Sequence, residues 1–455
     1  MTQYSIGDCV LERSDPLFEE ALASAYKSRE RPLWLCSTPG VPMYIARTGD
    51  NSYVLKRMPN SGQQHHPDCD SYEIPAELSG RGAVENKAIS EDQETGITNL
   101  KLDFTLSKVS LNRTISKGET KEPTAVKADP TKLTIRSLLH FLYEDAGLNK
   151  WAPNMEGKRS WYVIRKYLLQ AAQNKVTRKH PLGEALLIPE QFSLDHKDEI
   201  VARRRQFLSK LKKQGNKQPM GILIGEVKTI EEARFGFKMI VKHMPDTPVY
   251  MGEDVYKRIN KAFSTELAFF HENESIHLLT ICTFLLSASG SPQVDTISFM
   301  AVDRNWLPFE NIEELELLER LCTGKRHFIK GLRYNLGSSD VIASVLLTDT
   351  EGKPTAVYLV PAGATESYYD ELNAVVSAAE ENFPRLIRHL PERLTYLDLE
   401  QPDDSAPGGY VERNSRIIVS GGEVLIDPVR ESILYPALEM IRDKYKAQGG
   451  VRLVV

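Results

Sequence analysis

Beyond Pro219 the chain alternates apolar strand pairs with amphipathic helices, and this order restricts the fold more than any other feature. MGILIGEV and FGFKMIVKHM predict one strand pair, and HLLTICTFLLSAS and DTISFMAVD predict another. Later, VIASVLLTDTEGKPTAVYLVPAG predicts a hairpin that turns at Glu351–Pro354, followed by a helix over Ser367–Ala379. Hairpins followed by helices are typical of α+β proteins with a largely antiparallel sheet, and we predict that class.

Changes in composition divide the chain into four regions. We predict that residues 1–75 form a small β element that is stabilised by zinc. Residues 76–132 are predicted to contain a strand in LKLDFTL and a polar linker over Asn112–Lys132. Residues 133–217 are a basic helical region with Thr134 as the first N-cap. In 218–455, the repeated order strand, turn, strand, helix suggests a duplicated β-β-α unit. The first thirty residues are expected to be helical, from the spacing of Phe18, Leu22 and Tyr26.

Bulk properties exclude several protein classes. The net charge is −5, so only local basic regions can attract nucleic acid. No apolar run reaches the roughly 20 residues that a membrane-spanning helix needs, and the first residues lack the apolar core of a secretory signal. The five cysteines, an odd number, argue against a disulfide framework. A cytoplasmic protein without a membrane partner is therefore expected.

The segment from Cys36 to Cys69 gathers residue types that bind zinc. Cys36, His66 and Cys69 are the predicted ligands, because His66 and Cys69 flank one tight turn and can face the same ion. His65 is the best candidate for the fourth position, with Cys9 or a water as alternatives. No general base such as H-E-x-x-H accompanies these residues, so we predict structural zinc. The alternative is a solvated His-Pro turn near unrelated cysteines.

The stretch from Lys150 to Lys217 holds sixteen Lys or Arg and six acidic residues. Trp151, Trp161, Tyr162 and Tyr167 lie among the cations, as in surfaces that stack on bases. The region is therefore predicted to bind DNA or RNA, and the alternative is a solvated helix face with aromatic residues in the core. The predicted phosphate contacts are Arg159, Arg165, Lys166, Arg203, Arg204, Arg205, Lys210, Lys212 and Lys213.

Two other functions compete with nucleic-acid binding. Glu226 and Lys228, at the end of the apolar strand GILI, match half of the pattern of a metal-dependent nuclease. The preceding strand with an aspartate is not evident, because Asp195 and Asp198 lie upstream in a helical or loop context. A surface Glu-Lys pair in a hairpin is the simpler explanation of the match. A scaffold that binds only a protein partner is the third hypothesis. The isolated His243 and His277 are expected to be ordinary core or surface histidines.

Several motifs resemble an uncharacterised bacterial family, domain of unknown function 1173. The first is Leu55–Pro59 with Gly62 and the run His65 to Glu73, and others are LTIRSLLHFLYEDAGLNKW, ARFGFKMIVKHMPD and HFIKGLRYN. The resemblance covers nearly the whole chain. It implies a setting on plasmids and integrative conjugative elements, which favours a role linked to DNA, and it implies no activity. Relatives often carry a cysteine two positions before the one that matches Cys36, where this chain has Trp34.

Overall fold

A computed structural model describes residues 3–47, 52–58, 61–67, 69, 71–92, 94–109, 129–338, 340–350, 354–360 and 364–379, and the strands 386–389, 417–420, 423–426 and 452–454. It has the predicted α+β class. Most of the predicted linker over Asn112–Lys132 lies outside the described residues. The sequence ESILYPALEMIRDKY predicts a helix, and this segment also lies outside the described residues, as does the tip of the turn at Glu351.

The N-terminal region is an antiparallel sheet covered by one helix. Its elements are β1 (Gln3–Ile6), β2 (Cys9–Glu12), α1 (Phe18–Ser28), β3 (Leu33–Trp34), β4 (Val41–Arg47) and β5 (Tyr53–Arg57). The strand order is β2-β1-β3-β4-β5. The helical expectation for the first thirty residues is right for α1 and wrong before it. There, Tyr4 and Ile6 alternate into the core as strand residues do.

The central region contains the helices that organise the largest core. Its elements are β6 (Ile89–Glu91), β7 (Thr98–Leu100), β8 (Ser107–Val109), α2 (Ile135–Asp145), β9 (Lys150–Trp151), α3 (Trp161–Ala172), β10 (Lys175–Thr177), β11 (His180–Pro181), α4 (Leu182–Ala185), β12 (Leu186–Leu187), α5 (Lys197–Lys210) and β13 (Lys217–Pro219). Thr134 caps α2 as predicted, because its Oγ1 accepts a hydrogen bond from Ser137 N–H at 3.1 Å. The strand predicted in LKLDFTL ends at Leu100, beyond which Leu102 forms only an isolated bridge with Leu133.

A five-stranded ring of strands follows the central region. Its elements are β14 (Gly221–Glu232), β15 (Phe237–Val241), β16 (Val249–Met251), α6 (Glu253–Ala262), α7 (Ser264–Glu272), β17 (His277–Leu286) and β18 (Pro292–Val302). The first half of β14 pairs with β17 and its second half pairs with β15. Because β16 pairs with β18 and β18 with β17, the ring closes as β14-β15-β16-β18-β17-β14. The apolar spacing in DVYKRINKAFSTELAFFH predicts one helix over residues 254–271, but the structure has two helices that meet at Phe263.

Strand alternation separates the inside of this barrel from its outside. Leu223 and Val227 of β14 join the barrel core with residues of the other four strands and of α6 and α7. Ile222 and Ile224 point the other way and pack in the core that α2 and α3 share. Glu226 lies on this same outer side, near the end of the buried first half of β14.

The C-terminal elements complete a second large sheet. They are β19 (Pro308–Phe309), α8 (Ile312–Thr323), β20 (Phe328–Lys330), β21 (Val345–Leu347), β22 (Thr355–Leu359), α9 (Glu366–Ala379), β23 (Leu386–His389), β24 (Ile417–Ser420), β25 (Glu423–Ile426) and β26 (Arg452–Val454). The sheet order is β26-β25-β24-β23-β22-β21-β20-β9, with parallel pairing only at β22–β23 and β25–β26. The two blocks that suggested a β-β-α repeat lie in different sheets, one in the barrel and one here.

Candidate metal centre and nucleic-acid interface

Three of the four predicted metal ligands meet beside the N-terminal sheet. Cys36 follows β3, and His65 and Cys69 lie on the loop after β5. The Cys36 Sγ atom is 3.3 Å from His65 Nδ1, and the Cys69 Sγ atom is 3.7 Å from the same nitrogen. The three ligand atoms lie within 4.8 Å of one another and could hold a metal ion. Within the part of the chain that the structure describes, this is the one such group of His, Cys, Asp or Glu.

The spacing of these atoms fits tetrahedral coordination. Zn–S and Zn–N bonds of about 2.3 and 2.0–2.1 Å at a tetrahedral angle place the sulfur and nitrogen about 3.5 Å apart. The two observed sulfur–nitrogen distances, 3.3 and 3.7 Å, lie on either side of that value. Burial and the nearby Arg57 lower the pKa of His65 to about 4, so its imidazole is neutral at pH 7, as a metal ligand must be.

His66 and Cys9 are not members of this group. His66 is exposed and contributes its backbone N–H, which lies 3.5 Å from the Cys36 sulfur. Cys9 is exposed on β2. His65 therefore takes the place predicted for His66, because the turn aims the buried first histidine inward and the second outward. The ring of Trp34 packs against His65 at 5.4 Å and 80°, beside the three ligand atoms.

The candidate metal group lies where two cores meet. Cys69 packs against the core of the N-terminal sheet and also against the core beneath the C-terminal sheet and α9. Burial raises the pKa of the Cys69 thiol to about 12, so the thiolate there needs a positive partner. A coordinated cation provides one, because metal coordination deprotonates thiols.

Charged residues connect the ligand loop to α2. Arg57 pairs with Glu73, and Glu73 accepts from Arg81 at 3.1 Å. Arg81, itself buried, also lies 3.5 Å from Glu144 of α2. Gly62 leaves room for this arrangement, because a Cβ atom there would lie 2.7 Å from the Glu73 Cβ atom. The motif from Leu55 to Glu73 thus supplies two of the three candidate metal donors, His65 and Cys69, and the ion pair between Arg57 and Glu73.

The predicted phosphate contacts fall into two groups. Arg159 and Arg165 donate to backbone carbonyls, of Leu148 at 2.8 Å and of Ile188 at 3.0 Å. Arg203 makes a two-pronged pair with Glu190, and Arg204 is buried against Asp246. The remaining predicted cations are exposed: Lys166, Arg205, Lys210, Lys212 and Lys213.

The aromatic residues of this region divide in the same way. Trp151 and Trp161 are buried, 3% and 4% exposed, so the alternative of core aromatics holds for them. Tyr162 and Tyr167 are 61% and 43% exposed on α3. The exposed Lys166 of the same helix lies 5.9 Å from the Tyr167 ring. Among the aromatic residues and predicted cations of α3, Tyr162, Tyr167 and Lys166 are therefore the exposed ones.

Comparison with known proteins identifies a family. A family model described as "Protein of unknown function (DUF1173)" matches residues 4–388. The chain belongs to this family. No curated protein and no solved structure matches it. In this DUF1173 member, the matched residues include the candidate metal group, the exposed cations and the whole barrel.

Glu226, the predicted nuclease carboxylate, has partners that the sequence did not reveal. Its Oε1 lies 2.7 Å from both Lys242 Nζ and His277 Nδ1, and its Oε2 lies 4.0 Å from His243 Nε2. Burial alone would raise the pKa of Glu226, but the hydrogen bonds from His277 and Lys242 outweigh it and hold the pKa below its usual range. Lys228 is exposed and is not among these partners.

Two tryptophans cover these histidines. Trp306 stacks on His277 at 4.3 Å, and Trp161 stacks on His243 at 5.5 Å. The two histidines are isolated in the sequence, but in the fold both lie next to Glu226. The useful signal was Glu226 itself, because a carboxylate in line with buried Ile222 and Ile224 requires a charged or hydrogen-bonding partner.

None of the helices that the structure describes has the length and apolar character to cross a membrane.

Proposed function

We propose that this DUF1173 protein is a zinc-stabilised nucleic-acid-binding protein, in keeping with the mobile-element setting that its motifs imply. The observation that carries the proposal is the strand order of the barrel. Numbered along the chain, its strands close as 1-2-3-5-4-1, with helices between the third and fourth. This is the connectivity of the OB-fold, whose members bind oligonucleotides and oligosaccharides. Because a fold permits a function without requiring it, the surface of the barrel must supply the rest.

The basic helix α5 lies against this barrel. Leu211, at the end of the helix, belongs to the barrel core, and Arg204 pairs with Asp246 in the loop between β15 and β16. These contacts turn one side of α5 inward. The other side presents Arg205, Lys210 and, just beyond the helix, Lys212 and Lys213 to solvent. A row of exposed cations beside an OB-type barrel supports binding to phosphates.

Zinc would be structural in this proposal. Its ligands would be Cys36, His65 and Cys69, a soft donor set that suits zinc better than magnesium or calcium. Because Cys69 packs against two cores, a metal ion bound there would connect them. The metal would hold the N-terminal sheet in place and would not contact the nucleic acid.

A salt series tests the proposal. We expect labelled DNA or RNA to bind, with an affinity that falls steeply with salt. The triple variant Arg205→Gln, Lys212→Gln, Lys213→Gln should have a shallower slope, by about 0.7–0.9 for each phosphate that the variant no longer neutralises. The charge-matched control replaces the exposed Arg13, Lys27 and Arg31 by glutamine. Equal effects on the slope in both triple variants, or no binding by the wild type, would refute the proposal.

No observation among the described residues favours the nuclease alternative. Glu226 is engaged by Lys242 and His277, and the donor group that could hold a metal contains thiols and an imidazole, not carboxylates. Incubation with plasmid DNA and Mg²⁺ or Mn²⁺ tests the alternative. Cleavage that Glu226→Ala abolishes would revive it. A scaffold without nucleic-acid binding predicts that the wild type fails the salt series and captures a protein partner.

A further inference from the structure

The turn between β14 and β15 holds an aromatic ring in solvent. Phe235 is 81% exposed, although most large apolar side chains in the described chain are buried. The backbone of the turn is fixed. Ala233 N–H donates to the Gly236 carbonyl at 2.9 Å, and Gly236 has φ +77. A Cβ atom at Gly236 would lie 2.4 Å from the Met251 carbonyl oxygen, so the turn packs directly on β16.

Positive charge accompanies the exposed ring. The Arg234 guanidinium lies 5.3 Å from the centroid of the Phe235 ring. On the outer face of the barrel, Lys238 of β15 is opposite Tyr250 of β16, and both side chains are half-exposed. Their neighbours along each strand, including Met239 and Val249, point into the barrel core. Lys238 is paired with Glu231 of β14 at 3.2 Å. The turn therefore supplies a ring and a cation, Phe235 and Arg234, and the adjoining sheet face supplies the ring of Tyr250.

This position coincides with the part of an OB-fold that faces its ligand. That part is the outer face of strands 2 and 3, bordered by the turn between strands 1 and 2 and the turn between strands 4 and 5. Here the second turn spans residues 287–291, four serine or alanine residues and Gly290, and carries no large side chain that would cover the face. Rings that stack on bases need bases with free faces, which a single strand offers and a duplex does not.

We propose that Phe235, Arg234 and Tyr250 form a stacking site for single-stranded nucleic acid. Phe235 and Tyr250 would each stack on a base, and Arg234 would lie along the phosphates. The inference rests on the proposed nucleic-acid binding and deepens it, because it specifies a single strand and a surface separate from the cations of α5.

Fluorescence anisotropy with two probes tests this site. The probes are a fluorescein-labelled single strand of twenty thymidines and a labelled duplex of twenty base pairs. We expect the wild type to prefer the single strand and Phe235→Ala to bind it about 5- to 150-fold more weakly, the effect of one unstacked base. Phe235→Trp should restore the affinity, since it keeps a stacking ring. The salt slope should not change, because every cation that faces a phosphate is kept.

Leu194→Ala is the matched control, since Leu194 is also 80% exposed and lies in the loop before α5. Wild-type affinity for the single strand in Phe235→Ala would overturn the inference, and so would equal weakening in both alanine variants or equally tight binding of the duplex. In those cases the proposed function survives if the α5 triple variant still lowers the salt slope. If the wild type binds neither probe, both proposals fail.

Discussion

Removal of a single thiol should release the metal and loosen the N-terminal sheet. Cys69→Ser keeps the size of the side chain but replaces the sulfur that lies 3.7 Å from His65 Nδ1. The hydroxyl is a poor zinc ligand, and two protein donors from this group would remain. We expect the purified wild-type protein to contain about one zinc per chain and Cys69→Ser to contain almost none.

The size of the effect follows from the loop that the metal closes. A link between Cys36 and Cys69 encloses about 34 residues. The chain-entropy relation for a cross-link gives about 3.8 kcal/mol for a loop of that length at 25 °C. A metal–ligand bond exchanges, whereas a disulfide does not, so this value is an upper bound. We expect Cys69→Ser to lower the free energy of unfolding by at most about 3–4 kcal/mol at saturating zinc.

The metal content is measured by mass spectrometry after dialysis, and stability by thermal unfolding with and without a chelator. Cys9→Ser is the matched control, because Cys9 is exposed and lies outside the ligand group. His65→Ala should lose the metal, and His66→Ala should keep it. Absence of metal from the wild type, or equal metal loss in Cys9→Ser and Cys69→Ser, would refute the reasoning.

Three further predictions concern the scaffold. Arg81→Met should lower the free energy of unfolding by about 3–5 kcal/mol, because it removes a buried arginine from Glu144 and from Glu73, which keeps only its pair with Arg57 among the arginines. The exposed Arg205→Met should cost under about 1 kcal/mol, and a similar cost for both variants in urea unfolding would contradict this. Burial lowers the pKa of His140 to about 3, so below pH 6.5 the unfolded chain binds the extra proton. Stability should then fall by about 2 kcal/mol between pH 6.5 and 5, and urea unfolding across that range should show a smaller fall in His140→Gln. Gly80→Ala should destabilise the fold by about 3 kcal/mol or more, because its Cβ atom would lie 2.3 Å from the Arg333 carbonyl oxygen. A Cβ atom at Gly183 would meet nothing within 4 Å, so Gly183→Ala should leave the thermal unfolding temperature unchanged.

Local signals in the sequence were sufficient for the regular elements. The cap at Thr134 placed α2, and alternation placed the strands that became β14, β15, β17 and β18. The short strands β1 and β2 were missed, because four residues carry little periodicity and the helical spacing of Phe18 and Leu22 extended the helix prediction too far.

Closure of the barrel could not be predicted in the same way. It depends on the pairing of β14 with β17 and of β16 with β18, across the intervening helices α6 and α7. Such non-local pairing leaves no periodic signal in either strand. The partners of Glu226 were missed for the same reason, since His243 and His277 reach it from different strand ends.

The metal ligands could be predicted only in part. Residue type identified Cys36 and Cys69, but the choice between His65 and His66 depends on which imidazole the turn buries. The directions in which adjacent loop side chains point do not follow from a regular repeat. Composition therefore could not show which of the two histidines points toward the cysteines. The basic stretch shows the same limit, because charge density alone did not separate the solvent-facing Arg205 from Arg204, which is buried against Asp246.

The two proposed roles occupy different parts of the molecule and can therefore be separated. The metal ligands contact the N-terminal core and the core under α9. In contrast, α5 packs on the barrel core, and so does Phe237, the first residue of β15 after the turn that carries Phe235. The barrel core contains none of the ligands. If zinc is only a clip, Cys69→Ser should unfold at a lower temperature yet bind a single strand with wild-type affinity while it remains folded. If zinc instead helped to bind the strand, affinity would fall at temperatures where the variant is fully folded. A binding titration well below the unfolding temperature of the variant, with folding followed by circular dichroism in the same sample, distinguishes the two.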